Sequence, residues 1–208
     1  MNTGTSRLIV AGPVGAIECA VDAPRDESRG LAIVCHPHPQ FGGTMDNKVV
    51  QTLARAFVQL GWRCVRFNFR GIGGSAGTWG EGIGEIEDAL AVIAATRTAD
   101  QPFMLAGFSF GAYVASHVAA RLPEAAKPQR MVLVGPSTAK QPMAQVPADT
   151  VVIHGEADDV VPLVATFDWA RPQSLPVTVF PGTGHFFHGQ LGLLKHTVVQ
   201  ALQPRVPL

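Results

Sequence analysis

From Gly30 onward, short apolar runs alternate with longer stretches in which apolar residues recur at helical spacing. The first run, at residues 31–35, is apolar throughout, which is typical of a strand covered on both faces. Strands and helices alternating at this spacing predict βαβ units, and therefore an α/β fold with a mostly parallel, twisted sheet and helices on both faces. Strands are expected at residues 31–35, 64–69, 103–107, 131–134, 151–154 and 177–180.

Helices are expected at residues 47–60, 85–95, 111–122, 163–170 and 191–202. Asp46 is positioned to cap the first of these helices, and Gly61 to end it. Residues 1–23 precede the alternating part and predict a pair of antiparallel strands around a turn at residues 12–15.

The composition indicates one folded domain over residues 1–208. Hydrophobic residues make up 47% of the chain and charged residues 15%, which excludes a disordered chain. A chain of 208 residues can bury one large core but is short for two domains. The formal net charge is zero, so neither nucleic acid nor an anionic membrane is an expected partner, and a small, neutral or mildly polar substrate fits best.

The cysteines and the chain start predict a cytoplasmic protein. Cys19, Cys35 and Cys64 are odd in number and widely spaced, so they are interpreted as reduced core residues. Residues 1–18 lack the pattern of a secretory signal, and no apolar run reaches the length of a membrane span. A monomer or small homo-oligomer is expected.

A candidate nucleophile follows the predicted strand at residues 103–107. The segment 107–111 reads Gly-Phe-Ser-Phe-Gly and leads directly into a predicted helix. A tight turn from strand to helix strains its central residue and requires small neighbours, so Gly107 and Gly111 would let Ser109 project outward. The helix N-terminus and the free N–H of Phe110 would favour negative charge there.

A candidate acid follows the strand at residues 151–154. The four residues 156–159 include three carboxylates, those of Glu156, Asp158 and Asp159. A carboxylate just after a strand can orient a histidine base. The alternative interpretation is a solvated turn before a helix, and from the spacing alone the three carboxylates remain alternatives.

A candidate base follows the last predicted strand. His185 lies in the glycine-rich segment 181–188, from which an imidazole can reach the serine and move its proton. His188 is the alternative in the same loop, whereas His117 and His196 fall within predicted helices and are expected to be idle. Serine, acid and histidine follow one another in this chain order, each after a strand, as in one class of triad hydrolases.

The sequence resembles the α/β-hydrolase superfamily, and within it small bacterial members with an HPHP segment. The resemblance extends from Gly30 onward and rests on residues 35–48, 68–75, 107–111, 155–162 and 184–187. It implies a serine hydrolase that cleaves small ester or thioester substrates through an acyl-enzyme, with no cofactor. In that superfamily the acid occupies the Asp of a G-x-x-D-x-x-V-P pattern, which implies Asp158 here, with Asp159 as the alternative.

The resemblance also implies an oxyanion hole built from two backbone N–H groups. Phe110 supplies the first, and the second comes from the loop after the strand at residues 31–35. Two prolines there have no N–H, so the remaining donors are His36, His38, Gln40 and Phe41. His38 occupies the position after the His-Gly pair usual in the family, and Gln40 is the next choice. In this sequence His36-Pro37 replaces the His-Gly pair of the family, and proline in place of glycine can change the path of the loop backbone.

Only residues 135–150 separate two consecutive strands where many relatives carry a helical lid, which predicts an open cleft without a lid domain. Four side chains are expected to form an apolar substrate wall, with Phe187 as a further candidate, and each alternatively packs in the core. The four are Phe41, Phe108, Met143 and Phe186.

Other classes of function fit less well. A metal site could be drawn from Cys35, His36, His38 and His154, but His36 and His38 share one strand face and Cys35 points to the other. Four ligands therefore do not cluster, and no metal is expected. Residues 71–76 match a dinucleotide-binding pattern, but further glycines follow instead of a helix, so this segment is interpreted as a loop bordering the active site. A non-catalytic binding protein, and a lyase or perhydrolase with the same triad, remain alternatives. Ser109 disfavours the classes that use an aspartate or cysteine nucleophile.

Overall fold

A computed structural model of the chain describes residues 4–203. Its strands are β1 Thr5–Gly12, β2 Gly15–Asp22, β3 Leu31–Cys35, β4 Arg63–Phe67, β5 Phe103–Phe108, β6 Arg130–Val134, β7 Val151–Gly155 and β8 Val177–Phe180. Its helices are α1 Lys48–Gln59, α2 Ile83–Thr96, α3 Phe110–Arg121, α4 Leu163–Ala170 and α5 Leu191–Leu202. The predicted N-terminal strand pair begins at residue 1, and its residues 1–3 lie outside the described residues. Residues 204–208 of the predicted domain also lie outside them.

Within residues 4–203, eight strands form one sheet in the order β1-β2-β4-β3-β5-β6-β7-β8. β1 pairs with β2 and β2 with β4 in antiparallel fashion, and the six strands from β4 to β8 are parallel. The register places Ile33 of β3 opposite Val65 of β4 and Leu105 of β5. This is the α/β-hydrolase fold with N-terminal antiparallel strands that the sequence predicts.

Both faces of the sheet are covered, which explains why β3 is apolar at every position. Leu31 and Ile33 belong to the core cluster under α2 and α3, whereas Ala32 and Val34 belong to the cluster under α1 and α5. Alternate side chains of a strand point to opposite faces, so a central strand in a three-layer fold must be apolar throughout.

The predicted strands and helices are confirmed, with two local corrections. β4 ends at Phe67, two residues earlier than predicted, and the side chain of Asn68 just beyond it donates to Glu18 and accepts from the N–H of Met45. The cap of α1 is Asn47, whose side chain accepts from two N–H groups of the first turn, and not Asp46. Asp46 is instead bound to Arg66 at 2.9 Å.

Residues 135–150 between β6 and β7 form only turns and irregular chain, so no lid domain covers the sheet edge there. None of the helices in residues 4–203 is long and apolar enough to cross a bilayer. Cys19, Cys35 and Cys64 are buried free thiols, and burial raises the pKa of each.

Candidate active site

Ser109 lies at the turn between β5 and α3 in a strained backbone conformation. Its φ is 54° and its ψ is −118°, and its N–H donates to the carbonyl oxygen of Val134 at 2.9 Å. A Cβ on Gly107 would lie 2.2 Å from the carbonyl oxygen of Gly111, and a Cβ on Gly111 would lie 2.2 Å from that of Cys35. Glycine is therefore needed at both positions because the backbone segments approach closely, and the turn presents the Ser109 hydroxyl at the carboxyl edge of the sheet.

His185 and Asp158 complete a hydrogen-bonded chain with Ser109. The Ser109 hydroxyl lies 3.0 Å from His185 Nε2, and His185 Nδ1 lies 2.6 Å from Asp158 Oδ2. An ionised carboxylate accepts only, so His185 donates from Nδ1 and accepts the Ser109 hydroxyl proton at Nε2. All three residues are buried, with Ser109 7% exposed.

Hydrogen bonds with His185 and with the backbone of the turn after β7 keep Asp158 ionised. Burial alone would raise the pKa of Asp158, but the hydrogen bond with His185 and that from the N–H of Val161, at 2.7 Å, together hold it below its usual value of 3.8. The N–H of Val160 donates to the same carboxylate at 2.9 Å. Asp158 thus presents a fixed negative charge to the far side of the imidazole.

The alternative residues of the sequence lie elsewhere. Asp159 is exposed, and Glu156 accepts from the N–H of Gly182 at 2.8 Å, which fastens the loop that carries His185. His188 is exposed, and His117 contacts the carbonyl oxygen of Pro142 at 2.8 Å. The structure therefore brings together Ser109, Asp158 and His185, and none of these four alternative side chains is hydrogen-bonded to them.

The loop after β3 offers backbone donors beside Ser109. Within the described residues, the N–H groups of Phe110, His38 and Gln40 have no hydrogen-bond partner, whereas that of Phe41 donates to the carbonyl oxygen of His38 at 3.1 Å. This removes Phe41 from the candidate donors and leaves Phe110 with His36, His38 or Gln40, of which His36 does not line the cavity at Ser109. Phe110 and His38 both line the cavity at Ser109, and Gln40 does not.

A cavity of about 350 Å³ opens above Ser109 and His185. Phe41 and Phe186 line it and stand at its mouth, 79% and 44% exposed. Two other predicted wall residues do not line it. Phe108 is fully buried, with its ring 4.9 Å from that of His185, because β5 turns this side chain into the core. Met143 packs against the core under α2 and α3.

Phe187 also belongs to the core. Its ring is fully buried 5.5 Å from that of Phe180, and its N–H donates to the carbonyl oxygen of Gly184 at 3.1 Å. Phe187 therefore anchors the loop that carries His185 and forms no part of the substrate wall.

The family of the chain follows from comparison with known proteins. A family model described as serine aminopeptidase, S33, matches residues 26–148, more than half of the chain. The chain belongs to this family of α/β hydrolases. The matched segment includes the candidate nucleophile and the loop after β3, and it ends before Asp158 and His185.

Solved structures agree with this assignment. A lidless α/β serine hydrolase of Xanthomonas campestris is 39% identical over 100% of this chain and 99% of its own, with a TM-score of 0.87. An α/β serine hydrolase homologue from Coxiella burnetii is 36% identical over 98% of this chain and 100% of its own, with a TM-score of 0.86. An uncharacterized Rickettsia prowazekii protein is 39% identical over 116 residues, 54% of this chain, and the match spans about half (49%) of that relative's length.

In this α/β hydrolase His154 contacts Asp158, and the sequence analysis did not predict this contact. It is fully buried at the end of β7, and its Nε2 lies 2.9 Å from the carbonyl oxygen of Val161 and 3.3 Å from Asp158 Oδ2. Its Nδ1 lies 3.2 Å from the hydroxyl of Thr166. Burial lowers the pKa of His154, although Val161 and Asp158 oppose this, so an uncharged imidazole supports the carboxylate from behind. Its position four residues before Asp158 was the available signal.

His36 organises the loop after β3. Its Nδ1 lies 2.6 Å from the carbonyl oxygen of Pro37, and its Nε2 accepts from the N–H of Phe69 at 3.0 Å. Burial lowers the pKa of His36 to about 3, against the opposing effect of the Pro37 carbonyl. Both ring nitrogens of His36 and of His154 thus have protein partners, which leaves neither ring a free lone pair for a metal.

The loop at residues 71–76 lies against β2 and does not border the active site, contrary to the prediction. The N–H of Gly74 donates to Glu18 at 2.9 Å, the N–H of Ala76 donates to the carbonyl oxygen of Ala16 at 2.8 Å, and none of the six residues lines the cavity. Helix α2 begins only at Ile83, so no helix N-terminus stands at the dinucleotide-like pattern.

Proposed function

We propose that this protein is a serine hydrolase that cleaves small carboxylic esters or thioesters through an acyl-enzyme. The observation that carries the proposal is the chain from Ser109 to His185, at 3.0 Å, and on to Asp158, at 2.6 Å, in the wall of an open cavity. A serine hydroxyl becomes nucleophilic when a neutral imidazole accepts its proton, and a fixed carboxylate stabilises the imidazolium that results.

In the proposed first step, Ser109 Oγ bonds to the carbonyl carbon of the substrate while His185 Nε2 takes the hydroxyl proton. The negative charge passes to the carbonyl oxygen, where the backbone N–H groups of Phe110 and His38 receive it. Collapse of this intermediate breaks the bond to the alcohol or thiol, and His185 returns the proton to that leaving group. The acyl group remains on Ser109.

In the second step a water molecule replaces the alcohol. His185 takes one of its protons, the hydroxide adds to the acyl carbon, and the same two N–H groups stabilise the second oxyanion. Release of the carboxylic acid returns the proton to Ser109. Asp158 keeps its charge throughout and holds the imidazole in the tautomer that accepts at Nε2.

Peptide substrates form a second candidate class, because the family model that matches this chain is described as a serine aminopeptidase. The same steps cleave an amide, with an amine as the leaving group. An aminopeptidase additionally recognises the free ammonium group at the N-terminus of its substrate, and this requirement distinguishes the two candidates.

The experiment is hydrolysis of p-nitrophenyl acetate and butyrate by the wild type and by Ser109→Ala, both verified as folded by circular dichroism. We expect turnover of both esters by the wild type. We expect a loss of at least about a thousandfold in kcat for the variant, because the nucleophile is gone. A folded wild type without esterase activity, or a variant that retains it, would contradict the proposal.

A further inference from the structure

One cationic side chain faces the proposed substrate cavity. Lys140, in the irregular segment after β6, lines the same cavity as Ser109 and is exposed. Its ammonium group forms no ion pair within residues 4–203. No Asp or Glu of the described residues lines that cavity: the Asp158 side chain is fully buried behind His185, and Asp159 lines a neighbouring depression.

The side chain of Asn47 presents a donor to the same cavity. The side-chain oxygen of Asn47 accepts from the N–H groups of Val49, at 2.9 Å, and Val50, at 3.4 Å. These two bonds use the oxygen of the Asn47 amide. Its NH₂ group has no acceptor within the described residues. Asn47 lines the cavity, so this NH₂ group is available to a ligand there.

His38 adds an uncharged imidazole to the same wall. Its Nδ1 is buried without a hydrogen-bond partner among the described residues, and its ring packs 4.6 Å from that of Trp79 and 4.9 Å from that of Phe110. Burial lowers the pKa of His38, and the nearby ammonium of Lys140 lowers it further. A neutral imidazole has one nitrogen that donates and one that accepts, so the ring can offer a further donor to a ligand.

From this arrangement we infer that the preferred substrate of this site is an ester or thioester bearing a carboxylate, which Lys140 binds with the help of Asn47. The inference rests on the proposed ester hydrolysis and narrows its substrate class. A cavity with an unpaired cation, amide and imidazole donors and no acidic side chain attracts an anion. It repels the ammonium group of a peptide N-terminus, so the inference also sets this chain apart from aminopeptidase activity.

The test compares esters that share one skeleton and differ in a single anionic, neutral or cationic substituent. On the leaving-group side, the set is 4-acetoxybenzoate, 4-acetoxybenzamide and 4-(aminomethyl)phenyl acetate. On the acyl side, the pair is the p-nitrophenyl esters of 4-carboxybenzoate and 4-carbamoylbenzoate. Each kcat/KM is divided by the rate of alkaline hydrolysis of the same ester, which removes differences in intrinsic reactivity.

For the wild type we expect the carboxylate ester to be preferred about five- to tenfold over its amide in at least one of the two series. Lys140→Gln should bring that ratio close to one, and Lys140→Glu should favour the ammonium ester. Lys195→Gln is the matched control: it removes the same charge from α5, outside the cavity, and should keep the wild-type ratio. The preference should also weaken with added salt.

Two results would overturn the inference while leaving the proposed function intact. One is turnover of the amide esters with no preference for the carboxylate in either series. The other is a preference that Lys140→Gln leaves unchanged. Failure to hydrolyse any ester, charged or neutral, would overturn the proposed function and this inference with it.

Discussion

His38 contributes two chemically separate groups to the cavity, a backbone N–H and an imidazole. Its φ of −54° and ψ of 122° lie in the region that proline adopts without strain. Substitution by proline therefore removes the N–H while it preserves the backbone path, and substitution by alanine removes only the imidazole. The pair of variants separates the proposed oxyanion contact from every effect of the ring.

We predict that His38→Pro lowers kcat on p-nitrophenyl butyrate by a further factor of about 10² to 10³ relative to His38→Ala. The reason is that one of two donors to the developing oxyanion is lost. Steady-state kinetics of the two variants measures this factor, with circular dichroism to confirm that both fold. Equal kcat values for the two folded variants would contradict the assignment of the second donor to His38.

At the scale of single elements, the turn from β5 to α3 depends on close backbone contact. Gly111 lies against the carbonyl oxygen of Cys35 at the end of β3, so α3 can approach the sheet only without a side chain there. Gly192 in α5 is the opposite case, because a Cβ added to it meets nothing within 4 Å.

We predict that Gly111→Ala lowers the free energy of unfolding by about 3 kcal/mol or more, because the new methyl group must displace backbone. The matched substitution Gly192→Ala should raise it by about 0.5 kcal/mol, because alanine has the higher helix propensity. Urea unfolding followed by circular dichroism measures both. Similar small effects at the two sites would contradict the role given to Gly111.

The elements could be predicted from the sequence wherever local chemistry determines them. Strands and helices were found because apolar runs and helical spacing are local, and glycines and prolines mark their ends. The cap of α1 was misplaced by one residue because Asp46 and Asn47 are both good capping residues. Only the position of Arg66, which holds Asp46 at 2.9 Å, decides between them.

The arrangement around the triad depended on contacts distant in sequence and was harder to predict. Ser109, Asp158 and His185 follow strand ends, so their meeting could be expected from parallel strands sharing one edge. The four-residue spacing of His154 and Asp158 is local, but no local pattern reports that His36 binds Phe69 across 33 residues. The position of Phe108 beside Ser109 in the sequence predicts a place in the substrate wall, but its side chain is fully buried in the core under α1 and α5, with its ring against that of His185.

At the scale of the whole molecule, uncharged buried histidines link stability to pH. Burial lowers the pKa of His36 from its usual 6.5 to about 3 and also lowers that of His154. Both side chains therefore stay neutral in the folded protein at pH values just below 6.5, at which the same histidines of the unfolded chain already bind protons. Their contribution to stability is fully present above pH 6.5 and is lost as the pH falls from there toward the folded pKa.

We predict that the free energy of unfolding falls between pH 6.5 and pH 5 by about 1 kcal/mol per pH unit on average for each histidine kept fully neutral, with the slope steepening toward about 1.4 kcal/mol per unit. Urea unfolding at half-unit intervals of pH measures the slope. His36→Gln should have a shallower slope than the wild type, by the contribution of one histidine. A wild type equally stable at pH 5 and pH 7 would contradict the buried, neutral state of both rings.

The central claim is that Ser109 becomes covalently acylated. The most direct measurement is intact-protein and peptide mass spectrometry after incubation with a fluorophosphonate, which bonds to an activated serine and stops there. For folded wild type the account predicts one adduct per chain, located on Ser109, and none on Ser109→Ala. A folded wild type that takes up no label, or a Ser109→Ala variant that is labelled as fast as the wild type, would contradict it.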